Sequence, residues 1–171
     1  MAYFHARYTP RGPAGNLRRG LRYYTWREEP THPHDRPRVW HADDGRVLDY
    51  AAAKAEIPAR AQEAPYTYRL VLSTKDAPLT PADYAAVLDR GGFDRWYFTA
   101  HHGGDHPHAH GVAFATRLRG RDELNAVRAA LGDRERARQR EREQTPGADT
   151  ESPTVARRPR APERAQELEL W

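Results

Sequence analysis

The sequence predicts an α+β protein, a mainly antiparallel sheet with helices packed on one face, followed by a disordered C-terminal tail. Three observations predict it. Segments 3–9, 66–73, 94–102 and 108–116 are short and rich in aromatic and β-branched residues, the mark of strands. Helical patterns interrupt and follow them in the order strand, helix, small hairpin, strand, helix, strand, strand, helix, which suits an antiparallel sheet better than βαβ units. From about Thr145 the composition shifts to proline, alanine and arginine. The expected division is a folded domain over 1–144 and a basic, proline-rich tail over 145–171.

The elements follow in order. YFHARYT alternates as a strand and PRGPAG breaks it. In AGNLRRGLRYYTWR, Leu17, Leu21 and Tyr24 recur at i, i+4 and i+7, the single apolar stripe of an amphipathic helix, with Arg18, Arg19 and Arg22 on the other face. EEPTHPHDRP is irregular. In RVWHADDGRVLDY, Asp44-Gly45 separates two short runs, a hairpin signal. Residues 51–63 are alanine-rich and predict a short helix ending near Pro58. YTYRLVLS is a strand. Thr80 is an N-cap, Pro81 the first helical residue, and Gly91-Gly92 the stop of a helix from Pro78 to Arg90. DRWYFTAHH and HAHGVAFAT are strands about the turn GGDHP. Residues 121–144 form a long charged helix, apolar only at Leu124, Val127 and Leu131.

Composition narrows the function classes. The 171 residues carry 28 basic and 24 acidic side chains, a formal charge of +4, with a mean hydropathy of -0.99. All the basic residues but Lys54 and Lys75 are arginine, whose fork grips phosphate in bidentate fashion. A basic surface suggests an anionic partner. The absence of cysteine excludes disulfides, thiolate metal sites and cysteine nucleophiles. No apolar run approaches a membrane span and MAYFHARYTP has no signal-peptide core, so a cytoplasmic protein without membrane partners is expected.

The chemistry concentrates in HHGGDHPHAH, residues 101–110, which hold five of the nine histidines. His108 and His110 stand two apart on a strand and project to one face. His101 ends the preceding strand, and a hairpin would fold it beside them. Three imidazoles on one face make a metal site with open positions. Alternation sends His102 to the opposite face, and His106 lies in the turn; Asp105, and His106 with it, can support the ligands from outside the metal. His32 and His34 share the two-residue spacing but sit in a proline-rich loop, and are read as a decoy. A histidine-rich surface loop is the plain alternative for the whole cluster.

WYFTAHHGGDHPHAHGVAF resembles the H-x-x-x-D-x-P-H-x-H segment of plasmid mobilisation relaxases, members of the HUH endonuclease superfamily. YRLVLST is similar to the serine-ended strand that precedes it in those proteins. LRYYTWREE resembles their tyrosine motif, in which a tyrosine is followed three residues later by arginine and an acid. The resemblance covers roughly residues 3–131, and the asparagine that often follows the histidine pair is missing from GVAFATR. It implies a relaxase-like fold and a metal-dependent, site-specific enzyme that nicks and rejoins single-stranded DNA at a transfer or replication origin. A tyrosine hydroxyl would attack a phosphodiester, leaving a 5′-phosphotyrosine and a free 3′-hydroxyl, to mobilise a plasmid or similar element. Mg²⁺ or Mn²⁺ is the expected cation, with Zn²⁺, Co²⁺ or Ni²⁺ compatible; accessory DNA-binding proteins are possible partners.

No tyrosine follows Tyr97, so a tyrosine nucleophile would lie upstream, in the relaxase order. Tyr24 shares the apolar stripe and precedes Arg27 and Glu28 with the family spacing; Tyr23, on the flank, is the other candidate. Arg18, Arg19, Arg22 and Arg27 can contact DNA phosphates, and so can Ser73 at its strand end; a solvated helix face and a simple strand terminator are the plain readings. Two other functions stay open: a non-catalytic DNA-binding module that keeps the fold, and a metal phosphoesterase that uses water.

Overall fold

A computed structural model describes residues 2–10, 14–26, 38–102 and 106–144. The protein is α+β. Its elements are β1 (Tyr3–Pro10), α1 (Ala14–Trp26), β2 (Trp40–Ala42), β3 (Val47–Leu48), α2 (Tyr50–Glu63), β4 (Tyr66–Ser73), α3 (Pro81–Leu88) with a 3₁₀ turn at Asp89–Gly91, β5 (Arg95–His101), β6 (His108–Ala115) and α4 (Arg121–Gln144). The strands form one sheet in the order β1-β4-β6-β5-β2-β3. Every pairing is antiparallel. The expected tail, together with Arg27, Glu28, His32, His34 and Asp105, lies outside the described residues.

Helices cover both faces of the sheet, not one as the sequence suggested. Leu79, Tyr84, Val87 and Leu88 from α3 and its approach, with Val127 and Leu131 of α4, pack on Phe4, Leu70, Leu72, Phe98, Ala109 and Ala113. On the other face Leu17, Leu21 and Tyr24 of α1 and Ala53, Ile57 and Ala61 of α2 pack on Trp40, Tyr97, Val112 and Phe114. The reason is visible in β5 and β6. Trp96, Tyr97, Phe98, Val112, Ala113 and Phe114 are apolar without alternation and are all buried, as a strand covered on both sides must be.

Local signals explain most boundaries. The hairpin between β2 and β3 turns at Gly45, whose φ of 83° is open to glycine at little cost. Asp49 caps α2 by accepting the Ala52 N–H at 2.8 Å. That helix does not stop near Pro58 but runs through it to Glu63. Pro58 removes one backbone donor, but Ala53, Ile57 and Ala61 recur at i, i+4 and i+8 and are buried on the sheet. Packing on both sides of the proline outweighs the lost hydrogen bond.

Thr80 opens α3 with a reciprocal cap: its side chain accepts the Asp83 N–H, and the Asp83 carboxylate accepts the Thr80 N–H. The same carboxylate, only 3% exposed, receives Arg138 Nε of α4 at 2.7 Å. Burial pushes the Asp83 carboxyl up, but hydrogen bonds from Arg138 and Thr80 outweigh it and hold the group below its ordinary 3.8. A depressed folded value means that the stabilisation is complete above the ordinary carboxyl range and is lost as pH falls through the folded value. Asp83→Asn should therefore cost about 1–3 kcal/mol at neutral pH. In urea unfolding the gap between variant and parent should narrow below about pH 4. Equal stability at pH 7 would show that this link holds nothing.

Candidate metal centre

The register of β5 and β6 pairs His101 with His108 and Thr99 with His110. Directly opposed residues share a face, and residues two apart along a strand share it too. His101, His108, His110 and Thr99 therefore lie together on the α1/α2 side, the side of Val112 and Phe114. The ring centroids are 4.7 Å apart for His101 and His108, 5.1 Å for His101 and His110, and 5.1 Å for His108 and His110. His101 is fully buried and His110 nearly so, while His108 is half-buried.

That triangle has the dimensions of a three-histidine ligand set. Imidazoles bound at about 2.1 Å have ring centres roughly 3.2 Å from the ion, so two of them at octahedral or tetrahedral angles stand about 4.6–5.3 Å apart. The donor atoms themselves are not gathered: among the described residues no group of three or more His, Cys, Asp or Glu side chains is arranged to hold an ion as it stands. His101 and His108 lie face to face, 27° from parallel. Turning rings about Cβ–Cγ, a soft torsion, is the adjustment ligation needs, with the backbone left in place. One ring is already oriented. His108 Nδ1 lies 3.0 Å from the His106 carbonyl, which can only accept. Nδ1 therefore carries the proton and Nε2 keeps the lone pair that a metal needs. His106 thus supports His108 through its backbone, where the sequence suggested its ring. His102 is exposed and outside the cluster.

Helix α1 brings Tyr24 to this group. Leu17 and Leu21 seat the helix on the sheet, and the Tyr24 ring stacks on His110 with centroids 3.8 Å apart and planes 16° apart. Tyr24 is 5% exposed and Tyr23 43%. The helix end is fixed from the sheet: Trp40 Nε1 donates to Thr25 Oγ1 at 2.9 Å, and Thr25 Oγ1 donates back to the Leu21 carbonyl at 2.8 Å. Arg38 reaches the Tyr24 and Thr25 carbonyls, where a cation suits the helix C-terminus.

A second tyrosine, Tyr97, stands on the histidine face, four residues before His101. Its hydroxyl donates to Glu56 Oε1 at 2.6 Å. Burial and that carboxylate push the phenol up to about 12, which keeps it protonated and tied to α2. Tyr24 is the phenol against the histidines.

Two neighbours were not singled out from the sequence. Thr99, fully buried, faces the rings beside His110. Arg69 of β4 lies on the same face, opposite Val112 on one side and Arg7 of β1 on the other. Burial pushes the Arg69 guanidinium down, the Tyr24 phenol pulls it up, and Arg7 pushes it down. Arg69 is thus within the field of the Tyr24 oxygen. Alternation along β4 and β5 contained both residues; the signal missing was the cross-strand register. Ser73 pairs with His108, and its hydroxyl donates to the Pro107 carbonyl at 3.4 Å. Arg18, Arg19 and Arg22 lie on the far side of α1 from Tyr24, in a cleft against α2.

Titration with Co²⁺, followed by its visible absorption, should show one ion per chain. His108→Ala, His110→Ala and His101→Asn should each weaken binding by more than about a hundredfold, a ligand being worth at least its supporting partners. His102→Ala should bind like the parent; the reverse pattern would overturn the assignment of the three ligands.

Compared with known protein families, with curated proteins and with solved structures, the chain matches none of them.

Proposed function

We propose that the protein is a metal-dependent enzyme that nicks and rejoins single-stranded DNA through a covalent phosphotyrosine, as the resemblance to mobilisation relaxases implies. The observation that carries this reading is the stacking of Tyr24 on His110, one corner of the triangle of three histidines. A buried tyrosine in a core has no need of three imidazoles, and a DNA-binding module has no need of either.

His101, His108 and His110 are the residues that would hold the cation. When bound, it would polarise the scissile phosphate and offset the charge that builds on its oxygens. Neutral imidazoles suit Mn²⁺, Co²⁺, Ni²⁺ or Zn²⁺, whereas Mg²⁺ favours oxygen ligands. Tyr24 supplies the nucleophile. Its oxygen forms a bond to phosphorus as the bond to the 3′ oxygen breaks, and the phenol gives up a proton while the 3′ oxygen gains one. One phosphodiester is exchanged for another, so the reverse reaction rejoins the strand.

A free phenol with a pKa near 10 is largely protonated at neutral pH. Arg69, in the field of that phenol, favours its ionised form. Stacking on His110 fixes the phenol ring by its face and leaves the oxygen, at the ring edge, as the part that meets the phosphate. On the same sheet face β1 adds Tyr3, His5 and Arg7, all exposed, with the Tyr3 and His5 rings parallel to within 2°. Aromatic rings beside a cationic side chain along an edge strand suit a single strand, whose bases stack and whose phosphates pair. No described helix is long and apolar enough to cross a membrane. A phosphoesterase that uses water is the competing reading; the burial of Tyr24 favours it.

Incubation with labelled single-stranded origin DNA and Mn²⁺, followed by denaturing electrophoresis, decides between them. A DNA adduct should form with the parent, vanish in Tyr24→Phe and survive in Tyr23→Phe. Opposite behaviour would move the nucleophile to Tyr23, and cleavage retained by both would exclude the covalent route.

Arg69→Gln should slow adduct formation by roughly ten- to a hundredfold. It should also shift the rising limb of the pH–rate profile upward, because an unassisted phenol ionises at higher pH; Arg69→Lys should recover part of both. An unmoved profile would leave Arg69 a structural residue.

A further inference from the structure

The far side of α1 carries a second feature. At about 100° of rotation per residue, Arg18, Arg22 and Trp26 form one row along the helix, turned away from Tyr24. Tyr50 and Lys54 form a matching row on α2. Together with Arg19 they line a cleft of about 700 Å³, within the range of small-ligand sites, roughly 300–1,000 Å³.

Its lining has a consistent chemistry. Four of the six side chains are cationic, the other two are aromatic, and none is acidic. Trp26 is 48% exposed although it is among the largest apolar side chains. It meets Tyr50 edge to face at 6.2 Å, and Lys54 lies 5.9 Å from the centre of the Tyr50 ring. One end of the cleft therefore offers an aromatic surface and the other a set of positive charges. The core does not require this arrangement: Leu17, Leu21 and Tyr24 already seat the helix.

We infer that the α1–α2 cleft is a second DNA subsite, which holds a segment of single-stranded DNA with a base stacked on Trp26 and the flanking phosphates on Arg18, Arg22 and Lys54. The inference rests on the proposed function only in taking single-stranded DNA as the substrate. Duplex DNA offers phosphates but keeps its bases stacked inside, so it would leave the aromatic end unused. An anionic lipid surface would use the charges but has no planar ring for Trp26. The cleft and Tyr24 lie on opposite sides of one helix, so a strand held at both would wrap α1. The same helix would grip the strand on one side and present the phenol on the other.

The test is fluorescence anisotropy of a short labelled oligothymidine with the full chain, over a range of salt concentrations. The same tract carrying an abasic position, a duplex of the same sequence and anionic phosphatidylserine vesicles serve as comparisons. Trp26→Ala should weaken binding to the intact tract by roughly ten- to a hundredfold. It should have much less effect on the best-placed abasic tract, since both changes remove the same contact. Arg18→Gln with Arg22→Gln should lower the slope of log affinity against log salt by about 1.4. Those two side chains are on the surface, and circular dichroism checks that each variant is folded.

Trp26→Ala binding as tightly as the parent would overturn the subsite. So would equal losses on intact and abasic tracts, or duplex or vesicles binding as strongly as the single strand. Failure of the two readings is distinguishable. Trp26-dependent binding without any covalent adduct sinks the nicking reading and keeps the subsite. An adduct with binding indifferent to Trp26 does the opposite.

Discussion

Pairing of His101 with His108 across β5 and β6 governs the geometry of the histidine cluster, because side chains alternate between faces along a strand. A slip of one residue in one strand would send its histidines to the face of Leu70, Phe98 and Ala113. Imidazoles there would meet only hydrocarbon, at a cost of several kcal/mol for each polar ring left without partners. The same slip would exchange residues of different size between the two cores, Val112 and Phe114 for Ala113 and Ala115. Burial on both faces therefore resists any change of register, and the triangle of rings inherits its precision from the packing of residues that never touch it.

Helix α1 adds a phenol to that register, Tyr24 against His110. Leu17 and Leu21 are almost fully buried, each worth about 1.5–3 kcal/mol over an exposed position. These contacts would hold the helix whatever stood at position 24. Given them, the i+3 spacing from Leu21 directs Tyr24 at the sheet, where β6 presents His110. The Trp40–Thr25 hydrogen bond then restrains rotation at the end of the helix where Tyr24 lies. Core packing and site geometry are the same contacts, so substitutions that loosen α1 would displace the phenol before they unfold the domain.

What could be read from the sequence was local. The four main strands, the N-cap at Thr80 and the Asp44-Gly45 hairpin each depend on residues a few positions apart, and each stands where its pattern put it. The gathering of His101, His108 and His110 was legible because a hairpin needs only adjacent strands. Coverage of both faces was not, since it depends on which helix crosses to which side. The helix through Pro58 was missed because burial of Ile57 and Ala61 outweighs a local propensity. Arg69 was missed because its place beside the rings depends on β4 pairing with β6 and β1, strands far apart in sequence; Thr99, opposite His110 in the same hairpin, was within reach of the pattern and was passed over. The α1–α2 cleft needs two helices laid side by side, and no window along the chain contains both.

The layer on the opposite face also reaches the site. Glu135 of α4, nearly buried, accepts the backbone N–H groups of Lys75 and Asp76. This pins the chain just after β4, where Thr74 N–H donates to the Pro107 carbonyl at 2.9 Å. Pro107 leads directly into His108, whose Nδ1–H is held by the His106 carbonyl. A carboxylate on one side of the sheet is thus linked, through hydrogen bonds to backbone groups, to the entrance of the histidine cluster on the other. Charge on a long polar helix that looks merely solvated has a structural task here. The long helix is joined to the site through the Glu135 side chain, at the end of β4.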